Sequence, residues 1–104
     1  MPWTDACDAE DVADDEIVPW EHAGRSYALY CTEAGEVFAT DAFCPQDGAH
    51  LAGGILSGYL VECPLHHGRF DIRTGAPKGA QAGAPLATYR ARVSAGRVLV
   101  DVAG

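Results

Sequence analysis

Two short stretches, CPQDGAHL at residues 44–51 and CPLHHGRFD at residues 63–71, decide how this chain folds. Each begins with Cys-Pro, and sixteen residues separate Gln46 from Cys63. A proline holds the residue before it in an extended conformation, and the glycines at 48, 53, 54 and 68 allow a tight chain path. Thiolates and imidazoles on such turns are typical ligands of zinc and of iron–sulfur clusters. We therefore expect two metal-binding loops, at about 43–54 and 62–71.

The sequence around these loops predicts short strands. Side chains of Arg25–Cys31 alternate between two faces, with Leu29 and Cys31 on one and Ala28 and Tyr30 on the other. Ala34-Gly35 and Ser94-Ala95-Gly96 are turn sequences, so the strands beside them form hairpins. Further strands are predicted at Glu36–Thr40, Tyr59–Cys63, Arg69–Arg73, Leu86–Val93 and Arg97–Val102.

Two segments lack a strand pattern and are predicted as loops. Residues 5–16 hold seven acidic side chains, among which Asp8 is able to cap one helical turn, and residues 75–85 are rich in Gly, Ala and Pro. Many short strands, with no long amphipathic helix, predict an all-β sandwich or small barrel. At 104 residues the chain is expected to form a single domain, 1–104.

Charge and composition exclude several classes of protein. The net charge is −8, with −12 in residues 1–68 and +4 in residues 69–104, which argues against nucleic-acid binding. No apolar run of about 20 residues and no secretion signal is present, so we expect a cytoplasmic protein without a membrane span. Cys7 and Cys31 are predicted to be ordinary thiols, not members of a disulfide framework.

The two loop sequences resemble those of the Rieske-type [2Fe–2S] ferredoxins, the electron carriers of bacterial ring-hydroxylating dioxygenase systems, and the likeness extends over nearly the whole chain. The family fold is two β-sheets plus a two-loop cluster-binding subdomain. By position, the resemblance implies that Cys44 and Cys63 bind the inner iron of the cluster and that His66 binds the outer one. Gln46 stands where the family has its first histidine ligand, so the cluster could be incomplete or labile.

Four arrangements are open at that fourth position. Gln46 could lie near the iron with water or hydroxide as the ligand, or His50 could bind it, with help from His67. The cluster could be absent, or Cys44, Cys63, His66 and His50 could hold one zinc or iron ion. Gln46 is compatible both with a naturally degenerate site and with a deliberate substitution.

The resemblance implies a function and its partners. The chain would carry one electron from a flavoprotein reductase to a terminal Rieske non-haem iron oxygenase in aromatic catabolism, as a monomer that is not itself an enzyme. Ala49 and Leu65 occupy the positions of a disulfide found in high-potential Rieske proteins, and Gly68 and Phe70 replace their hydrogen-bond donors, so we expect a low potential. The glycine amides of the loops are expected to face the sulfides, and Leu51, Pro64 and Leu65 are expected to form an apolar docking rim.

Two other functions are compatible with the sequence. The chain could be a cluster-impaired structural subunit, similar to the small subunits of nitrite reductases, in which ligands have been lost. It could also be a zinc-stabilised binding domain.

Overall fold

The computed structural model describes residues 3–12, 15–45, 48–65, 68–78 and 84–102. Predictions that concern Gln46, His66 and His67 therefore lie outside the described residues. Two 3₁₀ turns, Ala9–Asp11 and Leu51–Gly53, accompany the strands. The strands are β1 (Trp3–Asp8), β2 (Ile17–His22), β3 (Arg25–Cys31), β4 (Val37–Asp41), β5 (Ile55–Ser57), β6 (Leu60–Glu62), β7 (Arg69–Asp71), β8 (Pro77–Lys78), β9 (Thr88–Tyr89), β10 (Ala91–Ser94) and β11 (Arg97–Asp101).

The strands form three antiparallel sheets. One has the order β1-β11-β10, the second β2-β3-β4-β9 and the third β5-β6-β7-β8. The third sheet carries the two metal-binding loops, since β5 and β6 connect the first loop to the second and β7 forms the end of the second loop. The all-β prediction, with two sheets and a separate cluster-binding subdomain, is confirmed.

Strand β3 contributes to two apolar cores because its side chains alternate. Ala28 and Tyr30 belong to the core of the third sheet, whereas Leu29 and Cys31 belong to the core between the other two. The second core also contains Val98 and Val100 of β11. All of these side chains are buried. The period-two pattern of the sequence therefore identifies a strand that links the cluster-binding subdomain to the rest of the molecule.

Three of the differences from the sequence predictions have a clear structural cause. The acidic segment is not all loop, because its first part forms β1, and Asp8 precedes the following 3₁₀ turn without a side-chain capping bond. Pro77–Lys78 is a short edge strand, a position that tolerates proline. Residues 88–94 form two strands, because the chain leaves the second sheet after Tyr89 and joins the first at Ala91.

The cysteines outside the loops behave as predicted. Cys7 is half-buried, Cys31 is buried, and neither belongs to a disulfide. Partial burial, together with nearby carboxylates, raises the pKa of Cys7, which makes its thiolate scarce at neutral pH. The described residues contain no helix long and apolar enough to cross a membrane.

Candidate metal centre

The first loop is a tight turn closed by backbone hydrogen bonds on both sides of Cys44. The Cys44 amide donates to the Ala49 carbonyl at 2.8 Å, and the Gly48 amide donates to the Cys44 carbonyl at 2.9 Å. Gly48 has a φ of 76°, a left-handed conformation that side chains disfavour. The turn therefore fixes the backbone of Cys44 and requires glycine at its far end.

The second loop is anchored in the same way at Cys63. Its amide donates to the Gly68 carbonyl at 2.7 Å, which joins Cys63 to the far side of the loop. The loop also packs against the first. A Cβ atom at Gly53 would lie 3.7 Å from the Pro64 side chain, and one at Gly54 would lie 2.0 Å from the Glu62 carbonyl oxygen. Gly54 is therefore needed for the close approach of the chain beside Cys63.

The two loop cysteines lie in one apolar cluster. Cys44 is 3% exposed and Cys63 is fully buried. Neither belongs to a disulfide, and both pack in the core of the third sheet. Their neighbours in that core include Leu51, Leu56, Val61, Phe70 and Ile72. Two thiols on paired turns in a water-excluding pocket fit the thiolate side of an iron–sulfur cluster.

Of the ligands that the resemblance implies, the two cysteines lie among the described residues. Within them, no group of three or more His, Cys, Asp or Glu side chains is arranged to hold a metal ion. Gln46 and His66, which the sequence places at the outer iron, lie outside the described residues. The fit of the chain to a cluster therefore rests on the thiolate pair.

His50 has a structural role. It is the cap residue of the turn Leu51–Gly53, and its Nδ1 accepts a hydrogen bond from the Ala52 amide at 3.1 Å. Its ring packs edge-to-face against Phe43, with 5.1 Å between the ring centroids. Direct ligation by His50 would leave only Nε2 for the metal while the ring stays in this position. The structure therefore accounts for His50 without a metal.

An ion pair fixes the strand that leaves the second loop. Asp71 is buried and accepts two hydrogen bonds from the Arg73 guanidinium, at 2.8 and 3.0 Å. These bonds lower the pKa of Asp71. Arg73 also lies over the Tyr59 ring, 4.1 Å from its centroid, and the Tyr59 hydroxyl bonds to Glu36 of the β3–β4 hairpin. Charge and aromatic contacts thus tie the third sheet to the second.

Comparison with known proteins identifies the family. The Rieske [2Fe-2S] domain family model matches residues 2–90. The chain belongs to the Rieske [2Fe–2S] domain family. The ferredoxin component of the p-cumate 2,3-dioxygenase system of Pseudomonas putida is 43% identical to it, over 92% of this chain and 82% of that protein. The cofactor of a chain in this family is a [2Fe–2S] cluster.

Solved structures of the Rieske fold agree with this family assignment. A structure of reduced oxygenase with oxidised ferredoxin from carbazole 1,9a-dioxygenase contains a chain of 31% identity and TM-score 0.86, matched over 95% of this chain and 92% of that one. A protein assigned as an NADH-dependent nitrite reductase small subunit of Mycobacterium tuberculosis has 25% identity and TM-score 0.88, with 98% and 96% coverage. The relationship to ferredoxin components shows that this Rieske protein is an electron carrier and not itself an enzyme.

The Rieske loops correct two expectations from the sequence. Leu51 is fully buried and cannot belong to an exposed rim. The amides of Gly48, Gly53 and Gly54 donate to the carbonyls of Cys44, His50 and Leu51, so in this structure they close the turns and are not free for the sulfides.

Exposed apolar side chains near the Rieske loops include two that sequence reasoning missed. Phe43 is 50% exposed and Ile55 is 64% exposed, beside the predicted Leu65 at 59%. Pro64 is exposed too. Phe43 precedes a ligand cysteine in the sequence, and Ile55 follows the glycine pair. The sequence signal for these two residues was an apolar side chain directly beside a loop cysteine or a loop glycine pair.

Proposed function

We propose that this Rieske protein carries one electron from a flavoprotein reductase to a terminal oxygenase. The observation that carries the proposal is the pair of buried cysteines outside any disulfide, each fixed by a closed turn. A bound [2Fe–2S] cluster supplies a reversible one-electron couple. The 43% identity to a dioxygenase ferredoxin component and the likeness to a ferredoxin in complex with an oxygenase support this partner class.

Within this proposal Cys44 and Cys63 hold the inner iron and His66 holds the outer one. Gln46 faces the fourth position, with a water molecule or hydroxide completing the coordination, because a neutral amide is a weaker ligand for iron than an imidazole. The loops at 43–54 and 62–71 and the β-sheets act as one domain over residues 1–104. The turns hold the cysteine backbones, and burial keeps water from the thiolates.

The exposed apolar residues beside the loops form the docking face for the partners. Phe43, Ile55 and Leu65 are each at least half exposed. An apolar surface close to the cluster allows a short-lived contact that brings the electron donor or acceptor near. We propose that the carrier is a cytoplasmic monomer, as suits a protein that meets two partners in turn.

The test is to restore the histidine. In protein prepared without oxygen, Gln46→His is expected to raise iron and sulfide toward two of each per chain and to speed electron delivery to an oxygenase. The matched control, Gln46→Asn, keeps an amide and is expected to match the unaltered chain. Equal iron contents in all three proteins would contradict the assignment of position 46.

A second candidate is a structural subunit whose cluster is impaired. The glutamine at position 46 and the fold shared with the nitrite reductase small subunit favour it. It predicts a colourless protein whose stability does not depend on iron, and it predicts that Gln46→His alone does not create electron transfer. The retained cysteine pair makes the carrier function the stronger of the two.

A further inference from the structure

The third sheet packs on the core with one face and turns its other face outward. Leu56, Val61 and Phe70 belong to the core, so the residues that alternate with them point away from it. The strand register places four of these outward residues directly beside one another across the sheet, in the order Ile55, Glu62, Arg69 and Lys78. We call these four residues the outer row. Because the register fixes their order, their side chains share one surface.

The apolar end of the outer row is open to solvent. Ile55 is 64% exposed, the largest fraction among the large apolar side chains of the described residues. A groove of about 300 Å³ lies beside it, lined by outward residues of β5, β6 and β7, namely Ile55, Ser57, Leu60, Glu62 and Arg69. Exposed apolar residues that are grouped, in contrast to single ones, mark surfaces that contact other proteins. Ile55 and the half-buried Leu60 form such a group.

The charged part of the outer row presents its cations to the solvent. Arg69 Nε lies 3.2 Å from Glu62 Oε1, but the Arg69 side chain is 58% exposed and that of Glu62 only 25%. Lys78 is exposed and stands directly beside Arg69, and none of the ion pairs among the described residues includes it. The surface of the row is therefore positive, although the chain as a whole has a net charge of −8.

Two exposed carboxylates of the chain lie at the other end of β5. Asp15 and Glu33 line a second groove at the β5–β6 turn, together with Gly58. Strands rise about 3.4 Å per residue, so Gly58 is about 10 Å along the chain from Ile55. Exposed charges are largely screened beyond about 8 Å at physiological ionic strength. A protein in contact with the outer row therefore meets mainly the charges of the row itself.

The outer row lies next to the second Rieske loop. Glu62 directly precedes Cys63, and Arg69 directly follows Gly68, whose carbonyl accepts the Cys63 amide. A protein that covers the row therefore lies beside one of the two cysteines of the metal centre. This position suits a partner that exchanges an electron with the cluster.

We propose that the outer row is a docking surface for the terminal oxygenase, and that it fits an apolar side chain of the oxygenase flanked by carboxylates. This inference rests on the proposed function and names the chemistry of its partner. Ile55 and Leu60 contact the apolar side chain. Arg69 and Lys78 donate charge-assisted hydrogen bonds to the carboxylates. Ile55 also belongs to the docking face of the loops, so the two surfaces are continuous.

The test measures binding of the intact holoprotein to the oxygenase of the p-cumate 2,3-dioxygenase system, by calorimetry at about 0.15 M salt. The ferredoxin component of that system is 43% identical to this chain. Ile55→Ser is expected to weaken binding about tenfold, because it removes the apolar contact. Lys78→Gln is expected to weaken binding about threefold, and Lys78→Glu about tenfold, because the reversed charge repels the carboxylates.

Two neighbouring residues of β10 provide matched controls on another sheet. Val93 is an apolar residue of 45% exposure, and Arg92 is an exposed cation. Val93→Ser and Arg92→Gln are expected to bind the oxygenase like the unaltered protein. Iron content is expected to be the same in all of these variants, since none of the substituted residues is a proposed ligand.

A measurement without any substitution accompanies the variants. Lys78 is the only lysine of the chain, so mass spectrometry can follow its acetylation in the unaltered holoprotein. Bound oxygenase is expected to slow this acetylation, because it covers the ammonium group. An unchanged rate at saturating oxygenase would overturn the proposal, even if a variant misfolds.

The outcomes separate this inference from the proposed function. Unchanged affinity in Ile55→Ser, or an equal loss in Val93→Ser, would overturn the outer row as a docking surface and leave the carrier function standing. Tighter binding of Lys78→Glu would show a basic oxygenase surface and overturn the charge assignment. No binding of the unaltered protein to the oxygenase would contradict the proposed function itself, and this inference with it.

Discussion

Gly54→Ala is predicted to damage both the fold and the metal centre. The added Cβ would lie 2.0 Å from the Glu62 carbonyl oxygen, and an ordinary contact needs at least 3.4 Å. Because the obstacle is a backbone oxygen, β6 has to move away by most of the difference between these two distances. Overpacking of this kind costs about 2–3 kcal/mol of unfolding free energy. For a chain of this size the melting temperature would fall by roughly 10–20 °C. Since Cys63 directly follows Glu62, iron content is also expected to fall.

The neighbouring glycine provides the control. At Gly53 the nearest atom to an added Cβ is the Pro64 side chain at 3.7 Å, an ordinary contact. Gly53→Ala is therefore expected to be neutral, or to stabilise by about 0.4–1 kcal/mol through the unfolded state. Urea unfolding and iron analysis of both variants test this. The reasoning about close approach is refuted if the unfolding free energy of Gly54→Ala lies within about 0.5 kcal/mol of that of the unaltered protein and the variant keeps its iron.

Three further predictions concern single side chains. Tyr30→Phe removes a buried hydroxyl that bonds to Thr40 at 2.8 Å, so urea unfolding should show a loss of about 1 kcal/mol, and no loss would contradict that role. Asp71→Asn should lower the melting temperature at neutral pH, because the lowered pKa of Asp71 means that its ion pair with Arg73 stabilises the fold above the ordinary carboxyl pKa. The difference should narrow as the pH falls below about 4, and a difference that does not change with pH would contradict the assignment. His50→Ala should lower the unfolding free energy by about 1 kcal/mol because it removes a cap, and His50→Asn should restore most of that loss. Neither variant should change the iron content. Loss of iron in His50→Asn would identify His50 as a ligand.

Local sequence patterns predicted the central strands well. The side chains of Arg25–Cys31 alternate between two faces, and β3 has the predicted bounds. From Tyr27 to Cys31 the side chains on both faces are buried. Strand β1 was missed because acidic side chains mask its pattern. Its charges are met by Arg97, which donates to Asp5 and lies 92 residues away in sequence. The break at Arg90 was missed because the two halves of that segment pair with different sheets, and no local pattern records a change of partner.

The placement of the two loop cysteines was predictable from the sequence. Cys44 and Cys63 are buried on closed turns, as the spacing of the Cys-Pro pairs indicated. The exposure of Leu51 was predicted wrongly because a loop residue can face either the solvent or the core. Here its side chain is buried in the same apolar core as both cysteines. The roles of the loop glycines depend on which carbonyl each amide reaches, a feature that only the folded chain determines.

The most direct test of the central claim is metal and sulfide analysis of protein purified without oxygen, joined to electron paramagnetic resonance after reduction. The account predicts iron with acid-labile sulfide in equal amounts and a reduced-state signal with a low average g value. Cys44→Ser and Cys63→Ser should each abolish both. Zinc without sulfide, or a silent protein whose two cysteines can be replaced without loss of iron, would contradict the claim that this cysteine pair holds a [2Fe–2S] cluster.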